Sequence, residues 1–478
     1  MPDIYQELLK LADSDMYPLH MPGHKRNLES TPLKGAFRCD ITEIDGFDNL
    51  HDESGIILEA EKRANDLYKA DETYFLVNGS TSGVLSALSA AVPDGGVVLA
   101  ARGSHRSFYH GAYLRHLNIE YLPVKMIDKY GIFDGYSSEE VEDALDKLGV
   151  KPDAVFITSP TYEGKCSDVE GIARACHKRN IPLIVDAAHG AHFGLGEGLP
   201  QSAVSAGADI VIHSLHKTLP SMTQTALIHV QGDIVDKTLL KRFLRIYQSS
   251  SPSYVLMSSI DLCIKELLDK REQYVKKLLE HRNRLKCGTK ECQKVRIIGT
   301  EELEDPSKVL IFVDSREMTG HELYDILREE YGLQLEMAGE KYGLAIITGW
   351  DTDEGIDRLI RAVCEINKRL KDSQNLECTV AAKSLIPKKE IPLYKAWDSD
   401  TEAVELDKAK GRIAGDFVNL YPPGIPMIVP GEVIDERLID QIKGYSEQGL
   451  NVQGISDAQI AGNKGIIRKR EIICVKQK

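Results

Sequence analysis

Two short segments between Asp186 and Lys217 contain residues that could act together in catalysis. Asp186 opens D-A-A-H-G-A-H-F-G after the apolar run I-P-L-I-V, and Lys217 ends H-S-L-H-K after the run D-I-V-I. A carboxylate ending one buried strand and a lysine just past the next are expected to meet at one sheet edge. Pyridoxal phosphate (PLP) needs this pair: a lysine holds its aldehyde as a Schiff base, and a carboxylate keeps its ring nitrogen protonated. Taken singly, each residue could equally be an ordinary strand end or one of the 59 Lys and Arg side chains in solvent.

A second segment, N-G-S-T-S-G at 78–83, follows the apolar run T-Y-F-L-V and precedes a helical pattern. Ser80, Thr81 and Ser82 at such a turn offer hydroxyl groups beside free backbone N–H groups and the positive end of a helix dipole. This combination predicts a cradle for a phosphate ester. The alternative is an ordinary helix N-cap with flexible glycines beside it.

Two further strand ends also hold polar groups. A-R-G-S-H-R-S follows V-V-L-A and places His105 where its ring could lie on a PLP ring, although it could also be an ordinary loop histidine. S-P-T-Y-E-G at 159–164 follows another apolar run with more hydroxyl groups. Ligands of open α/β sheets bind at this edge, so the convergence of several strand ends indicates a cofactor site there.

The elements that must position these residues alternate between strand-like and helical patterns. The predicted strands are T-Y-F-L-V (73–77), V-V-L-A (97–100), A-V-F-I-T (154–158), L-I-V-D (183–186), I-V-I-H (210–213) and A-L-I-H-V (226–230). This alternation predicts an α/β domain with a mostly parallel sheet. A long helical pattern at 254–285 leads into a smaller α+β unit, where a helix is predicted to end at Gly332. A charged stretch around 368–390 predicts a linker to a C-terminal α+β module.

Composition excludes several classes of protein. The net charge of −14 argues against a nucleic-acid binder and is compatible with a cationic small substrate. No apolar run approaches the ~20 residues that span a bilayer. The chain opens with an amphipathic helical pattern, not a signal peptide, and its nine cysteines are scattered without C-x-x-C pairs. We therefore expect reduced thiols, no zinc site and a cytoplasmic location.

Six motifs, in this order, resemble the Orn/Lys/Arg decarboxylases of the fold-type-I PLP enzymes, in their short bacterial form. They are P-L-H-M-P-G-H-K (18–25), D-I-T-E-I-D-G-F-D-N-L-H (40–51), F-L-V-N-G-S-T-S-G (75–83), H-G-A-H-F-G (189–194), S-L-H-K-T-L-P-S-M-T-Q (214–224) and Y-P-P-G-I-P-M-I-V-P-G-E (421–432). The resemblance implies an aspartate aminotransferase-like large domain at 46–253 after an N-terminal segment at 1–45. It also implies a connecting helix and small domain at 254–370 and a decarboxylase module at 371–478.

The resemblance also implies a role for each matching residue. Lys217 would hold PLP, Asp186 would pair with the ring nitrogen, and His105 would stack on the ring. The phosphate would be held by Ser80, Thr81 and Ser82, with Ser214 and His216 nearby. His189 falls where larger relatives have an aromatic residue beside the cofactor, which leaves its own role open. Glu432, in P-G-E, is a candidate for binding the distal cation of the substrate, with a solvent-exposed carboxylate as the alternative.

One departure concerns the N-terminal wing domain of the large inducible relatives. The P-L-H-M-P-G-H-K motif begins at residue 18, so this sequence has no room for a wing before it. Assemblies that depend on the wing are therefore not expected. A homodimer or a dimer of dimers is expected instead, because active sites of this fold class usually form between two subunits.

The sequence thus predicts PLP-dependent decarboxylation of a basic L-amino acid for polyamine synthesis. Arginine, giving agmatine, is the favoured substrate because the short form resembles biosynthetic arginine decarboxylases, and lysine and ornithine remain alternatives. Either Lys217 or His216 would return a proton to the α-carbon. An aminotransferase is a rival, since an arginine clamp within R-L-I-R (358–361) is neither identified nor excluded. A non-catalytic PLP-binding protein is a rival of another class.

Overall fold

The computed structural model describes residues 3–371, 386–420, 425–447, 452–462 and 465–476. Most of the predicted linker and the Y-P-P-G part of the last motif (421–424) lie outside the described residues. Within those ranges, no helix is both long and apolar enough to cross a membrane.

Fifteen α-helices occur in the described residues. They are α1 (Ile4–Ala12), α2 (Lys34–Cys39), α3 (Ile56–Tyr68), α4 (Gly79–Ala91), α5 (Arg106–Leu114), α6 (Ser138–Lys147), α7 (Val169–His177), α8 (Leu215–Thr218), α9 (Lys237–Tyr247), α10 (Tyr254–Gly288), α11 (Thr300–Leu303), α12 (Gly320–Tyr331), α13 (Asp353–Arg369), α14 (Leu393–Trp397) and α15 (Glu436–Glu447).

Nineteen β-strands accompany these helices in the described part of the chain. They are β1 (Glu72–Leu76), β2 (Val97–Ala100), β3 (Asn118–Tyr121), β4 (Met126–Ile127), β5 (Ile132–Phe133), β6 (Ala154–Thr158), β7 (Leu183–Asp186), β8 (Ile210–Ser214), β9 (Ala226–Val230), β10 (Val295–Ile297), β11 (Lys308–Val313), β12 (Met337–Ala338), β13 (Tyr342–Ile346), β14 (Thr401–Glu405), β15 (Val418–Leu420), β16 (Ile425–Ile428), β17 (Val452–Gln453), β18 (Ile455–Gly462) and β19 (Gly465–Val475).

The chain forms two compact units: unit one spans 1–91, 125–143 and 159–380, and unit two spans 92–124, 144–158 and 381–478. In unit one, four strands lie in the order β1-β9-β8-β7, and a smaller antiparallel sheet has the order β10-β11-β13-β12. In unit two, β2 pairs in parallel with both β3 and β6. Unit two also contains the antiparallel sheets β14-β19-β18 and β16-β15-β17.

The six predicted strands are all present, and the parallel pairing of β7 with β8 follows the prediction. Both strands are buried along their whole length, which explains their continuous apolar sequence. The exception is β9, which runs antiparallel to both of its neighbours, β1 and β8. Its apolar run A-L-I-H-V does not reveal direction, because a strand buried on both faces has the same composition whichever way it runs.

The predicted long helix is α10, which has 35 residues and ends three residues later than expected, at Gly288. Within unit one, Thr319 and Glu322 form a capping box at the start of α12. Gly332 caps the other end of that helix in the left-handed conformation, with φ 62°, as predicted. The four-part domain division remains a prediction.

Candidate active site

Asp186 and Lys217 follow two neighbouring parallel strands of unit one. Asp186 is the last residue of β7, where it lies in register with Ile212 of β8. Lys217 lies in α8, a single turn that begins directly after β8. The structure therefore brings the two side chains close enough for the charge of each to act on the other. This is the juxtaposition expected from the two apolar runs.

Burial controls the ionisation of both groups. Asp186 is 5% exposed, and burial raises the pKa of its carboxyl while Lys217 opposes the change. Burial likewise lowers the pKa of the Lys217 amine, against the effect of Asp186. A lysine with a lowered pKa is more often a neutral amine, which is the form that attacks a carbonyl carbon. The pair therefore combines a nucleophilic amine with an acceptor carboxylate.

His189 lies between Lys217 and a second lysine, Lys308. Its Nε2 is 3.0 Å from Nζ of Lys217, and its Nδ1 is 2.8 Å from Nζ of Lys308. The ring of Tyr162 meets the His189 ring edge to face, with 4.6 Å between centroids. The position that the sequence left without a role thus connects two amines.

The predicted phosphate cradle lies at the beginning of α4. Gly79 opens this helix with a φ of +74°, a conformation that glycine adopts without strain. Ser80 and Thr81 follow at partly buried and exposed positions, and the Ser82 hydroxyl donates to the Gly79 carbonyl oxygen over 2.8 Å. The first backbone N–H groups of a helix lack intrahelical partners, so this turn offers donors to an anion.

Ser214 is the N-cap of α8, and His216 is the second residue of that helix. The Ser214 hydroxyl is buried and has no hydrogen-bond partner among the described residues. His216 Nδ1 lies 3.0 Å from the carbonyl oxygen of Thr225, which can only accept, so this nitrogen carries the proton. Burial lowers the pKa of His216, which favours a neutral ring with a lone pair on Nε2.

His105 belongs to unit two and is the N-cap of α5. Its Nδ1 accepts from the backbone N–H of Ser107 over 3.2 Å and lies 2.9 Å from the Ser107 hydroxyl. These contacts fix the ring relative to the turn after β2. Its stacking role remains a prediction.

Glu432 also belongs to unit two, and it is 2% exposed, not at the surface. Its Oε2 accepts from Arg102 over 3.1 Å and from the Val429 backbone over 2.9 Å, while Oε1 is buried without a partner among the described residues. Arg102 also donates to Tyr109 and to the carbonyl oxygen of Pro426. Burial would lower the pKa of Arg102, but Glu432 raises it above its usual range, so the guanidinium stays charged.

Several buried polar residues near Lys308 were not predicted from the sequence. Lys308 is fully buried at the first position of β11 and donates to the Tyr162 carbonyl oxygen over 2.8 Å. Asp305, also fully buried, accepts from His192 over 2.9 Å. The only sequence signal is the polar segment D-P-S-K before an apolar run, which does not distinguish Lys308 from other basic residues.

The donor set fits the cofactor expected from the sequence. A buried amine and carboxylate lie together, a helix start offers backbone donors, and the Ser214 hydroxyl is buried and unpartnered. A buried hydroxyl without a partner is unfavourable unless another group satisfies it. An aldehyde, a ring nitrogen and a phosphate together would use these groups.

Solved structures confirm the fold class. Lysine decarboxylase A from Pseudomonas aeruginosa is 19% identical and superposes with a TM-score of 0.80, covering 100% of this chain and 80% of that chain. The ureidoglycine-glyoxylate aminotransferase of Bacillus subtilis matches with a TM-score of 0.54 and 16% identity, over 67% of this chain and 88% of that one. The predicted α/β fold of the fold-type-I enzymes is therefore confirmed.

Sequence comparison identifies the family. Residues 2–334 match the major domain of the Orn/Lys/Arg decarboxylases, and residues 384–458 match their C-terminal domain. The chain is also 30% identical, over 96% of each sequence, to the arginine decarboxylase of Bacillus subtilis strain 168. This chain belongs to the Orn/Lys/Arg decarboxylase family, as the six motifs predicted, and is a decarboxylase by class.

The first prediction concerns the buried Arg102–Glu432 pair. Glu432→Gln should lower the melting temperature of the protein, because it leaves a buried guanidinium without its counter-charge, a change that costs about 3–5 kcal/mol. Arg102→Met should be less damaging in the Glu432→Gln background than in the wild type, which a double-mutant cycle measures. An exposed pair offers the control: Arg358→Met or Glu354→Gln should change stability by less than about 1 kcal/mol. An unchanged melting temperature in Glu432→Gln would contradict a structural role for this carboxylate.

Proposed function

We propose that this protein decarboxylates a basic L-amino acid with PLP as its cofactor and that arginine, giving agmatine, is the substrate. The observation on which the proposal depends is the buried Asp186–Lys217 pair at the ends of β7 and β8, in a chain of the Orn/Lys/Arg decarboxylase family. The 30% identity to a Bacillus subtilis arginine decarboxylase supports arginine.

When bound, PLP supplies an electron sink for the pair of electrons that remains on the α-carbon when carbon dioxide leaves. We assign its groups to residues described above. The aldehyde end belongs to Lys217, the ring nitrogen to Asp186, the ring face to His105, and the phosphate to Ser80, Thr81, Ser82 and Ser214, with His189 and His216 beside them.

The role of Asp186 follows from its burial. A carboxylate that is 5% exposed exerts a stronger electrostatic effect than one in water, because little solvent screens its charge. Asp186 would hold a proton on the ring nitrogen and so stabilise the positive charge that draws electrons away from the α-carbon. The Ala188 backbone N–H, 3.1 Å from Oδ1, keeps this carboxylate in place.

A proton must reach the α-carbon after carbon dioxide leaves. Lys217 and His216 remain the two candidates for this step. His216 has its Nδ1 held by the Thr225 carbonyl oxygen, so it could act only through Nε2. Lys217 could act through Nζ, which His189 contacts.

We also propose that Glu432 contributes to recognition of the distal cation. What supports this is its Oε1 atom, which is buried and unpartnered among the described residues. Loss of such a contact would cost roughly 1.5–3 kcal/mol, or ~10–150-fold in kcat/KM. Glu432→Gln would then lower kcat/KM more than Arg102→Met does. If kcat/KM falls equally in the two variants, the effect comes from disruption of the buried Arg102–Glu432 pair and not from a contact with the substrate.

The pathway, the location in the cell and the oligomeric state stay predictions. A role in polyamine synthesis, a cytoplasmic location and a homodimer or dimer of dimers rest on sequence arguments alone.

Substrate choice is tested by steady-state kinetics with arginine, lysine and ornithine side by side. We expect kcat/KM for arginine to exceed that for the other two by at least about tenfold, which corresponds to a differential contact of about 1.4 kcal/mol. A guanidinium can make two parallel contacts to a carboxylate, whereas an ammonium offers a point charge. A higher value for lysine or ornithine would change the substrate but leave the reaction class intact. No amine product from any of them would refute the proposed reaction.

Lys217 is expected to carry the cofactor. Borohydride reduction of the PLP-loaded protein, followed by peptide mapping, should place the pyridoxyl group on Lys217. Lys308 provides a stringent comparison, because it is another buried lysine on the opposite side of His189. A label on Lys308, or on any other lysine, would contradict the assignment.

Asp186→Asn should retain PLP but lower kcat by about 10²–10³-fold, the loss typical of removing one preorganised electrostatic group. The amide has nearly the same size as the carboxylate but no charge to hold the ring nitrogen protonated. Asp209→Asn is the matched control, since Asp209 is another buried carboxylate, 3% exposed, that accepts from the Leu183 backbone at the start of β7. The control should keep kcat near the wild-type value at temperatures where it is folded. Near-normal turnover in Asp186→Asn would mean that a group other than Asp186 keeps the ring nitrogen protonated.

A further inference from the structure

His189 is a buried ring with an amine at each nitrogen. The ring is 6% exposed, and its two nitrogens contact Nζ of Lys217 and Nζ of Lys308 at 3.0 and 2.8 Å. Tyr162 packs against the ring edge to face. Three groups that each gain or lose a proton are therefore connected in one line.

The chemistry of a neutral imidazole limits how protons are distributed along this line. One ring nitrogen donates through its N–H and the other accepts through its lone pair. An ammonium group can only donate, so a neutral His189 can accept from one lysine alone. The other lysine must accept the ring N–H, and only a neutral amine can do so. With both contacts formed as hydrogen bonds and the ring neutral, at most one of the two lysines is charged.

The surroundings favour the charge on Lys308. Its Nζ donates to the Tyr162 carbonyl oxygen over 2.8 Å and lies 5.3 Å from the centre of the Tyr162 ring, where a cation is attracted. Glu163 Oε2 and Asp305 Oδ2 are buried carboxylate oxygens without hydrogen-bond partners among the described residues. Both carboxylates act electrostatically on Lys308.

The backbone at Gly164 also passes close to the side chain of Lys308. Gly164 has a φ of +106°, and a Cβ atom there would lie 2.8 Å from Cγ of Lys308 and 2.9 Å from its Cβ. Only glycine lets the loop after β6 pass so near to the lysine stem. That loop provides the Tyr162 carbonyl oxygen, so the close approach and the contact to Nζ depend on each other.

We propose that Lys308 is a positioning residue which, acting through His189, holds Lys217 as a neutral amine ready to bind the aldehyde of its cofactor. This inference rests on the proposed function and extends it to a residue outside the PLP-binding set. In this arrangement the Lys308 ammonium donates to Nδ1 of His189. The Nε2–H of His189 then donates to the lone pair of Lys217.

The pKa values of both lysines are lowered, so the two amines compete for charge at one buried site. Burial lowers the pKa of Lys308 to about 8, with Asp305 opposing and Lys217 contributing to the change. Burial also lowers the pKa of Lys217. The carboxylates that act on Lys308 are Asp305, Glu163 and Glu336, and those that act on Lys217 are Asp186 and Glu336. Repulsion between two ammonium groups is mutual, so a proton held on Lys308 by the Tyr162 carbonyl oxygen and the nearby carboxylates disfavours a second proton on Lys217.

The same line of contacts can supply the proton that the reaction consumes. The Nε2 proton of His189 first moves to Nζ of Lys217, and a proton of Lys308 moves to Nδ1. Lys217, now an ammonium group, gives one proton to the α-carbon, whose electron pair remains after the bond to carbon dioxide breaks, and returns to a neutral amine. The net change is one proton transferred from Lys308 to the carbon, with His189 left neutral in its other tautomer.

The test measures the ionisation of Lys217 without turnover. Full-length protein freed of cofactor is labelled with 1-fluoro-2,4-dinitrobenzene, which reacts with unprotonated amines, between pH 6 and 10. Peptide mass spectrometry then gives the labelling rate of Lys217 at each pH. In the wild type we expect a midpoint below the ~10.4 of a free lysine, because burial lowers the pKa of Lys217.

Lys308→Met should raise that midpoint by about one pH unit, so that labelling at pH 8 slows about tenfold. Lys308→Arg retains a cation and should keep a midpoint near that of the wild type. Lys341→Met is the control, because this lysine of the same unit donates to the Ser315 carbonyl oxygen, away from His189. It should leave the midpoint unchanged.

An unchanged midpoint in Lys308→Met, or an equal shift in Lys341→Met, would overturn the inference. If circular dichroism shows that Lys308→Met does not fold, His189→Phe makes the same test, since it breaks the link and should also raise the midpoint. A wild-type midpoint in His189→Phe would overturn it as well. Because labelling requires no substrate, a protein that shows these shifts but releases no carbon dioxide would refute the proposed function alone.

Discussion

Burial of ionisable groups at the ends of β7 and β8 is the constraint to which the other features of the site respond. A charged group removed from water is costly unless an opposite charge offsets it. Asp186 and Lys217 each act on the ionisation of the other, and His189 connects Lys217 to Lys308. The polar groups around Lys308 are then required to balance a further buried amine. The sheet edge can therefore hold only a small number of buried charges, and this limit determines which of its side chains are ionised.

Much of the framework could be predicted from the sequence because local patterns determine it. Apolar β-branched runs located the strands that end at Asp186 and just before Lys217, and Gly332 marked the end of α12. The six motifs identified the family, which the domain matches confirm. The direction of β9 was not predictable, because burial on both faces removes the alternation that would distinguish its setting.

The rest of the site arises from contacts between distant segments. Lys308 is one of 59 basic residues, and nothing local indicates that it is fully buried. Its role follows from the Tyr162 loop and from His189, which come together only in the folded chain. The same is true of Glu432, whose partner Arg102 lies far away in sequence. A motif identifies a residue type at a position, but pairing and burial determine the ionisation of that residue.

The central claim is that the chain replaces the carboxyl group of a basic amino acid with a proton. The most direct measurement is turnover of arginine labelled in its carboxyl carbon, carried out in deuterium oxide with PLP-loaded protein. We expect one labelled carbon dioxide for each amine formed, and one deuterium on the α-carbon of that amine. A 2-oxo acid that keeps the labelled carboxyl group would contradict the claim and identify a transamination instead.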